Sequence, residues 1–357
     1  MPNLVGNGAL IGPPMKVAVF SSKPYDRNFF DAANGGRHEL RYLRDRLTVD
    51  TAALAKGASA VCLFANDEAN ATVMMAFAHM GVELIAVRAA GFDNVDLQAA
   101  RSHAITVARV PAYSPNAVAE HAFALLLSLN RKVHLAYQRV RRGNFSLDGL
   151  MGVDLVGKTL GIIGVGNIGM AAARIGRGFG CKVLGVDPVR REECEGLVQY
   201  VELDDLLERS DVVSLHCPLN QATRHLIGAR ELARMRGTAL LINTARGAVI
   251  DTAAVLKALD ASQLGGLAID VYEEERNLFF EDRSGEDIAD KQFERLLAFP
   301  NVLVTPHQGF FTAEALAKIA STTIENIDAF ERSGHALYEV RIDAPAITAH
   351  AQQKTEA

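Results

Sequence analysis

The sequence predicts an α/β protein built from two doubly wound parallel sheets. Short apolar runs of strand length alternate along the chain with longer segments of helical periodicity. Strands that alternate with helices pair in parallel, because each helix carries the chain back across the sheet. The length of 357 residues also suits two or three domains of ordinary size.

The first predicted domain covers residues 15–112 and is rich in apolar runs of strand length. Four of these runs are expected to form strands, with helices in the segments between them. They are residues 15–20, 60–64, 83–87 and 105–110. We expect them to form one parallel sheet.

The second predicted domain covers residues 113–307 and holds six further strands. Six strands with intervening helices match a complete doubly wound sheet. The domain opens on Ser114 and Pro115, a serine N-cap followed by proline at the first helical position, which predicts a helix over 116–130. The six strands are residues 160–165, 182–186, 212–216, 239–243, 266–269 and 302–305.

The end of the chain is expected to return to the first domain. A helix over 312–330, within a returning segment of 308–342, would make this second crossing between the domains. Two crossings predict a hinged cleft, which is a usual place for a small-molecule site. Residues 1–14 and 343–357 are expected to be tails.

The most specific motif is LGIIGVGNIG, which forms the first predicted strand of the second domain and the turn after it. Gly164, Gly166 and Gly169 have the G-x-G-x-x-G spacing of a dinucleotide-binding loop. They allow a tight turn, close approach of backbone to a pyrophosphate, and packing of helix on strand. The helix start at Asn167 and Ile168 then offers free N–H groups to the phosphates.

An acidic residue follows this loop at the distance that a dinucleotide site requires. Asp187 ends the next apolar run and lies 18 residues beyond Gly169, near the expected offset of about 20. A carboxylate there accepts hydrogen bonds from ribose hydroxyls and repels a 2′-phosphate, which favours NAD. Arg190 and Arg191 follow closely and leave NADP open as the alternative.

Composition and charge argue against a nucleic-acid partner. The chain carries a net charge of −5, with 49% hydrophobic and 22% charged residues. It therefore has no overall positive field to attract nucleic acid. The most basic stretch, residues 131–142, is interpreted as a solvated or subunit-facing helix surface.

Membrane association and metal binding are likewise not expected. No apolar run reaches the roughly 18 residues that span a bilayer, and residues 1–14 lack the features of a secretory signal. The cytoplasm is therefore the expected location. Cys62, Cys181, Cys194 and Cys217 show no metal-ligand spacing, which predicts buried, reduced thiols and no metal site.

Three polar residues follow the last three strands predicted for the second domain. Arg246 follows the strand that ends at residue 243, Glu275 the strand that ends near 269, and His307 the strand that ends near 305. Ligands of open α/β sheets bind beyond the carboxyl ends of the strands. All three residues are therefore expected at the edge that also carries the glycine loop.

These three residue types suit the reduction of a 2-oxo acid. The planar fork of arginine binds a carboxylate in a bidentate manner. Reduction of the ketone by hydride from a nicotinamide requires a proton donor, and histidine is suited to this near neutral pH. A carboxylate beside the histidine stabilises the imidazolium and orients the ring. The alternative interpretations are a surface ion pair, a solvated acidic run and a capping residue.

Seven segments carry a family resemblance that runs from about residue 15 to about residue 339. Through them the chain resembles the D-isomer-specific 2-hydroxyacid dehydrogenases, and within that family the bacterial fermentative D-lactate dehydrogenases. The acidic segment 279–290 suits the lactate branch, because it is shorter in glycerate-type relatives. The segments are VRAAGFDNVD (87–96), VPAYSPNAVAEHA (110–122), LGIIGVGNIG (160–169), SLHCPL (214–219), INTARGAVID (242–251), IDVYEEERNLFFED (269–282) and VLVTPHQGFFTAEAL (302–316).

The resemblance implies a flavodoxin-like substrate domain, a Rossmann NAD domain and a cleft between them. It also implies that His307 is the acid/base, that Glu275 is its partner and that Arg246 is the carboxylate clamp. Asp270 would tune the site or orient the nicotinamide. The implied substrate residues are Ala89, Ala90, Gly91, Tyr113, Phe310 and Phe64, and further implied cofactor residues are Cys217, Pro218, Thr223, Thr244 and Ala245.

The activity that the resemblance implies is reversible reduction of pyruvate by NADH to D-lactate. The nearest alternative is a dehydrogenase for a bulkier 2-oxo acid such as phenylpyruvate or 2-oxoisocaproate. A formate dehydrogenase of the same fold and an NAD-sensing corepressor that resembles the C-terminal binding proteins are more remote. The family also implies a homodimer or homotetramer, with helix 116–130 and the basic arm 131–150 at the interface.

Overall fold

Two parallel β-sheets, each in its own unit of the chain, organise the computed structural model, which describes residues 14–341. The first unit holds the residues up to Tyr113 and those from Leu316 onward, and the second holds the segment from Ser114 to Ala315. The prediction of two α/β domains with parallel sheets is confirmed. The segments expected to be tails lie outside the described residues, except for Pro14.

The first unit contains a five-stranded sheet in the order β2-β1-β3-β4-β5, which is the flavodoxin-like order. Its neighbouring strands all pair in parallel. A short 3-10 helix, Ala52–Ala55, precedes β3. The other elements are β1 (Lys16–Val19), α1 (Pro24–Asn34), β2 (Glu39–Tyr42), β3 (Ala60–Leu63), α2 (Ala71–Met80), β4 (Leu84–Val87), α3 (Leu97–Ser102) and β5 (Thr106–Arg109).

Strand β2 was not among the four strands predicted for this unit. It lies at the edge of the sheet and pairs only with β1 among the described strands. Its residues, ELRY, alternate between exposed and half-buried. An edge strand of this kind needs no continuous apolar run, so the pattern that revealed the buried strands was absent.

The second unit contains a seven-stranded sheet in the order β12-β11-β10-β9-β6-β7-β8. Read from the other end, the strands β8-β7-β6-β9-β10-β11 have the Rossmann order, and β12 extends the sheet beyond β11. The strand order reverses between β6 and β9, which is the switch point of the sheet. The elements are α4 (Pro115–Asn130), α5 (Val133–Val140), β6 (Thr159–Ile163), α6 (Asn167–Gly178), β7 (Lys182–Val186), β8 (Gln199–Tyr200), α7 (Leu203–Arg209), β9 (Val212–Leu215), α8 (Ala229–Arg234), β10 (Leu240–Asn243), α9 (Thr252–Asp260), β11 (Gly266–Ile269), α10 (Lys291–Ala298) and β12 (Val302–Val304), with 3-10 helices at Glu192–Cys194, Gly247–Val249 and Glu275–Asn277. The last helix, α11 (Ala313–Ser333), begins in this unit and belongs to the first unit from Leu316 onward.

All six strands predicted for this sheet are present, and the two-residue strand β8 is additional. The predicted start of α4 is also confirmed. The Ser114 side chain accepts a hydrogen bond from the backbone N–H of Ala117 at 3.1 Å, and Pro115 occupies the first turn. The apolar face of α4, including Phe123 and Leu126, packs with Leu160 of β6 in one core cluster.

The chain leaves the second unit later than the predicted residue 308. Residues 308–315 stay with this unit. The backbone N–H groups of Gln308 and Gly309 both donate to the Asp270 carboxylate at 2.8 Å, and the ring of Phe310 lies edge-on to that of His307. These contacts hold the segment to the end of β11, so the return begins within α11.

Within residues 14–341, no helix is both long enough and apolar enough to cross a membrane. The same part of the chain contains no group of three or more histidine, cysteine or acidic side chains arranged to hold a metal ion. Its four cysteines are buried and form no disulfide. Burial raises the pKa of the Cys62 thiol to about 12 and that of the Cys217 thiol to about 11.

Candidate active site

Three adjacent strands of the second unit carry the predicted catalytic residues in the loops after them. In the sheet register, Asn243 of β10 lies beside Ile269 of β11, and Ile269 lies beside Val304 of β12. The three strands therefore end at the same level. Arg246, Glu275 and His307 follow them, and the glycine loop after β6 lies at the same edge because all strands of this sheet are parallel.

His307 and Glu275 form a close hydrogen-bonded pair. The His307 Nδ1 atom lies 2.7 Å from Glu275 Oε1, and the side chains are 15% and 17% exposed. The second carboxylate oxygen, Oε2, accepts a hydrogen bond from the backbone N–H of Tyr272 at 2.9 Å. This fixes the carboxylate and places it on Nδ1, so Nε2 is the ring nitrogen that remains to face a substrate.

The backbone of His307 is held in a conformation that favours glycine. Its φ angle is +57°, and such a left-handed backbone is strained for a residue with a side chain. The two peptides that follow are anchored, because Gln308 and Gly309 donate to Asp270. Asp270 therefore holds the turn that presents the imidazole.

Asp270 is the centre of a buried polar network behind this turn. Its Oδ1 atom also accepts from Thr305 Oγ1 at 2.5 Å and lies 3.1 Å from His121 Nε2. Burial acts to raise the pKa of the Asp270 carboxyl, but the hydrogen bonds from His121 and Thr305 outweigh it and lower that pKa. The carboxylate is therefore charged at neutral pH.

Arg246 lies in a loop that is folded back on itself and pressed against the Glu275 segment. The Asn243 side chain donates to the Arg246 carbonyl at 2.9 Å and accepts from Ala245 N–H at 3.0 Å. The Arg246 guanidinium donates to the Ala245 carbonyl at 2.7 Å. A Cβ atom on Gly247 would lie 2.0 Å from the backbone of Tyr272, so only glycine allows this approach.

Two phenylalanines flank the His307 imidazole. The ring centroid of Phe310, a predicted substrate residue, lies 6.3 Å from that of His307 in an edge-on arrangement. The ring of Phe280 lies 5.6 Å away, and its backbone has a φ of +68°. The sequence analysis did not single out Phe280, although its segment was noted as acidic. The sequence feature that could have indicated its role is the pair Phe279 and Phe280, two apolar residues at the start of that polar segment.

The glycine loop has the geometry of a dinucleotide site. Gly164 has a φ of +92°, and a Cβ atom there would lie 2.5 Å from the backbone nitrogen of Cys217. A Cβ atom on Gly169 would lie 2.1 Å from the Gly164 carbonyl oxygen, whereas a Cβ on Gly166 would meet nothing within 4 Å. The open side of Gly166 and the start of α6 at Asn167 thus leave room for a pyrophosphate at a helix N-terminus.

Asp187 is placed at the end of β7, beside this loop. Its carboxylate accepts hydrogen bonds from the backbone N–H groups of Val165 at 2.7 Å and Val189 at 2.8 Å. Arg191 donates to the Asn167 side chain at 3.4 Å, and Arg190 lies over the ring of Tyr200. Both arginines are thus engaged with neighbouring side chains.

The other predicted cofactor residues lie in the loops that follow β9 and β10. Thr223 Oγ1 donates to the Pro218 carbonyl at 2.6 Å and closes the loop after β9. The buried hydroxyl of Thr244 has no hydrogen-bond partner among the described residues. An orphaned hydroxyl beside Arg246 fits a site that is completed by the polar group of a nicotinamide.

His216 directly follows β9. It was part of a motif in the sequence analysis, which assigned it no role. Its Nε2 atom lies 2.9 Å from Ser214 Oγ. Burial lowers the pKa of His216 to about 4. The ring is therefore neutral in this position at neutral pH, unlike an acid/base histidine.

The remaining predicted substrate residues lie in the first unit. Ala89, Ala90 and Gly91 follow β4, and Phe64 follows β3, so these residues share the carboxyl edge of that sheet. Tyr113 is the last residue of the unit before the chain enters α4. The first unit thus brings Phe64 and residues 89–91 together at one edge of its sheet.

A nucleotide loop and an imidazole–carboxylate pair at one sheet edge are what a nucleotide-dependent oxidoreductase requires. Residues 123–309 match the family described as D-isomer specific 2-hydroxyacid dehydrogenase, NAD binding domain. The chain belongs to this family. It is therefore an NAD-dependent D-2-hydroxyacid dehydrogenase.

Relatives and solved structures agree with this family. The chain is 51% identical over 320 residues to 2-hydroxyacid dehydrogenase A of Aspergillus oryzae, covering 88% of this chain and 92% of the relative. It is similar to the apo-structure of D-lactate dehydrogenase from Escherichia coli, with a TM-score of 0.83 and 43% identity over 92% of this chain and 100% of that one. It is also similar to the D-lactate dehydrogenase of Lactobacillus jensenii solved with NAD+, with a TM-score of 0.76 and 32% identity over 92% and 100% of the two chains.

Proposed function

We propose that this enzyme reduces pyruvate to D-lactate with NADH and catalyses the reverse oxidation. The observation that carries the proposal is the His307–Glu275 pair, with its 2.7 Å hydrogen bond, at the same sheet edge as Arg246 and the glycine loop. This is an acid/base group with an orienting carboxylate, beside a cation that suits a carboxylate substrate.

The proton is handled by His307 in this proposal. Bound NADH supplies the hydride that reaches the ketone carbon. His307 donates the proton from Nε2 to the ketone oxygen, which becomes the hydroxyl of lactate. Glu275 holds the opposite nitrogen and stabilises the imidazolium before the transfer. In the reverse direction the neutral imidazole takes the hydroxyl proton.

Arg246 binds the carboxylate of the substrate and polarises its ketone. Its loop is held by Asn243 and pressed against the Glu275 segment at Gly247. The clamp and the proton donor therefore rest on connected loops, which keeps their spacing constant. Phe310 and Phe280 supply apolar surface beside the imidazole, which excludes water from the proton donor.

Backbone N–H groups of the first unit would bind the substrate as well. Among the described residues, no acceptor is found for the N–H groups of Ala89, Ala90 and Gly91. The carbonyls of Ala89 and Ala90 accept from Val110 N–H and the Arg109 guanidinium. With the carbonyls occupied, the N–H groups are available to a carboxylate.

The test is NADH oxidation with a panel of 2-oxo acids, followed by chiral analysis of the product. The panel holds pyruvate, 2-oxobutyrate, phenylpyruvate, oxaloacetate, glyoxylate and hydroxypyruvate. We expect the highest kcat/KM with pyruvate and a product that is D-lactate. A higher value with phenylpyruvate would assign the enzyme to bulkier acids. Absence of turnover with every acid would favour an NAD-sensing binding protein.

We further propose that the enzyme is a homodimer or homotetramer, joined through α4 and the arm of residues 131–150. The arm exposes apolar side chains to an unusual degree: Tyr137 is 61% exposed, Phe145 75% and Leu147 81%. Exposed apolar surface of this kind is typical of an interface, and a second copy of the chain is the occupant that we propose. Leu147→Asp should lower the molar mass measured by light scattering. Leu54→Asp, at an exposed apolar residue of the first unit, is the control.

A further inference from the structure

Arg88 is a buried arginine that directly precedes the substrate backbone of residues 89–91. Only 2% of the residue is exposed. Its Nη1 donates to the Phe20 carbonyl at 3.0 Å, and its Nη2 donates to the Ser21 carbonyl at 2.9 Å. A guanidinium is costly to bury without partners, so these contacts fix where the end of β4 lies relative to β1.

The same guanidinium is stacked on a predicted substrate residue. Its central carbon lies 4.7 Å from the ring centroid of Phe64. The backbone of Phe64 is tied on both sides, because its N–H donates to Asp67 Oδ2 at 2.7 Å and its carbonyl accepts from Asn94 Nδ2 at 2.9 Å. Phe64 is therefore held by its backbone, and Arg88 supports its ring.

One buried carboxylate is paired with Arg88, and a second lies in the same polar network. Asp26 Oδ2 lies 3.4 Å from Arg88 Nη2. Asp67 is completely buried, and it accepts from Ser21 Oγ and from the backbone N–H of Leu47, both at 2.7 Å, as well as from Phe64. The network thus joins the ends of β1, β3 and β4. Arg88 Nε has no hydrogen-bond partner among the described residues, but both terminal nitrogens of Arg88 are bonded, and polar networks of this kind favour one arrangement of the backbone around them.

A second arginine holds the opposite side of the same segment. Arg109, at the end of β5, donates to the Ala90 carbonyl at 2.8 Å and lies over the ring of Phe92. Residues 89–91 are therefore fixed between Arg88 at their start and Arg109 at the Ala90 carbonyl. Neither arginine belongs to the residues assigned to chemistry or substrate above.

We propose that Arg88 is a positioning residue that sets the pocket for the 2-oxo acid, by fixing the backbone N–H groups of residues 89–91 and the ring of Phe64. The inference rests on the proposed function, in which these groups bind the substrate. Arg88 touches no reacting atom in this assignment. Its loss should weaken binding and discrimination of the acid, and it should leave binding of NADH in the second unit unchanged.

The variant that tests this is Arg88→Lys, which keeps the charge but loses the fork that spans two carbonyls. We expect KM for the preferred 2-oxo acid, and the dissociation constant of the substrate isostere oxamate in the presence of NADH, to rise at least about tenfold. The ratio of kcat/KM for pyruvate over phenylpyruvate should fall, because Phe64 loses its support. The NADH Kd from nucleotide fluorescence should not change.

A matched control separates positioning from stability. His38→Gln disrupts another buried polar contact of the first unit, in which His38 Nε2 lies 2.8 Å from Asp328 Oδ1. It should lower Tm without changing the KM or the pyruvate to phenylpyruvate ratio. If both variants raise KM alike, or if Arg88→Lys leaves KM and the oxamate constant unchanged, the positioning role is overturned.

A milder variant decides the matter if Arg88→Lys does not fold. Asp26→Asn keeps the carbonyl contacts of Arg88 and removes one counter-charge, and it should raise KM in the same direction by a smaller factor. An unchanged KM would overturn the proposal. Failure of the proposed function is seen separately, because it concerns which acid the wild-type enzyme reduces, whereas this proposal concerns the ratio of variant to wild type for that acid.

Discussion

The two sheets use their carboxyl edges in different ways. The edge of the second unit presents ionisable side chains, with His307, Glu275 and Arg246 on three neighbouring loops. The edge of the first unit presents backbone, and its charged groups, Arg88 and Asp67, are buried underneath. In the proposed function, the same architecture would thus serve proton transfer at one edge and shape recognition at the other.

The comparison shows that a charged group is placed differently when it exchanges protons and when it holds a backbone in position. A group that exchanges protons must reach the substrate, and the His307 side chain, although mostly buried, keeps 15% of its surface exposed. A group that holds a backbone does so best when it is buried and fully bonded, as Arg88 nearly is. Substitutions in the second unit should therefore change kcat most, and those in the first unit should change KM.

The largest effect is expected for His307→Ala, which removes the proton donor. We expect kcat to fall by about 10² to 10⁴ while the NADH Kd stays within a factor of about two of wild type. Stopped-flow turnover and NADH fluorescence titration give the two numbers. Unchanged turnover would show that the second unit's edge does not carry the proton transfer.

The next largest effect is expected for Arg246→Lys. Lysine keeps the charge but cannot form the bidentate contact, so both orientation and binding of the carboxylate should suffer, by roughly 10² in kcat/KM. Steady-state kinetics with the preferred acid measure this value. A normal KM and kcat in the variant would refute the clamp, and the comparison with Arg88→Lys shows which arginine acts on kcat.

A smaller effect is expected for Asp270→Asn. The amide can no longer accept from both Gln308 and Gly309, so the strained turn at His307 should loosen and kcat should fall roughly tenfold. The NADH Kd is the discriminating readout. A large rise in the NADH Kd with little change in kcat would assign Asp270 to the cofactor rather than to the turn.

The smallest effect on activity is expected for His216→Gln, which should instead change how stability depends on pH. The pKa of His216 is lowered to about 4 from its ordinary 6.5. As pH falls from 6.5 towards 4, His216 binds a proton in the unfolded chain but stays neutral in the folded chain. The free energy of unfolding therefore falls by up to about 3 kcal/mol.

The glutamine variant should lose that part of the slope. Urea unfolding followed by circular dichroism at pH 7, 6 and 5 measures it, since the chain has no tryptophan. Between pH 7 and 8 the variant and the wild type should show the same pH dependence. An equal slope below pH 6.5 would mean that His216 is accessible to protons in the folded state.

Much of the fold could be predicted because its strands are buried on both faces. The runs that became β3, β4 and β6 are continuous and apolar, and they stand out without any three-dimensional information. Strand β2 was missed because an edge position relaxes this requirement. Strand β8, with two residues, is too short to leave a pattern.

The candidate site also contains residues that could be predicted from the sequence and residues that could not. Residues that follow predicted strands, such as Arg246 and His307, could be assigned to one edge by topology alone. The role of Arg88 could not be seen, because its partners Phe20 and Ser21 lie 68 and 67 residues away in sequence. The close approach at Gly247 and the placement of Phe280 beside the imidazole likewise depend on tertiary packing.

The left-handed backbone of His307 sets activity against stability. A glycine at that position would remove the strain of a side chain at φ +57°, which is worth about 1–2 kcal/mol for an L-residue. Glycine would gain less than this in the folded protein, because it also makes the unfolded chain more disordered. The turn would thus be easier to form without the very side chain that the reaction needs. If His307 is the proton donor that we propose, the enzyme keeps a locally unfavourable conformation after β12 in exchange for activity rather than for stability.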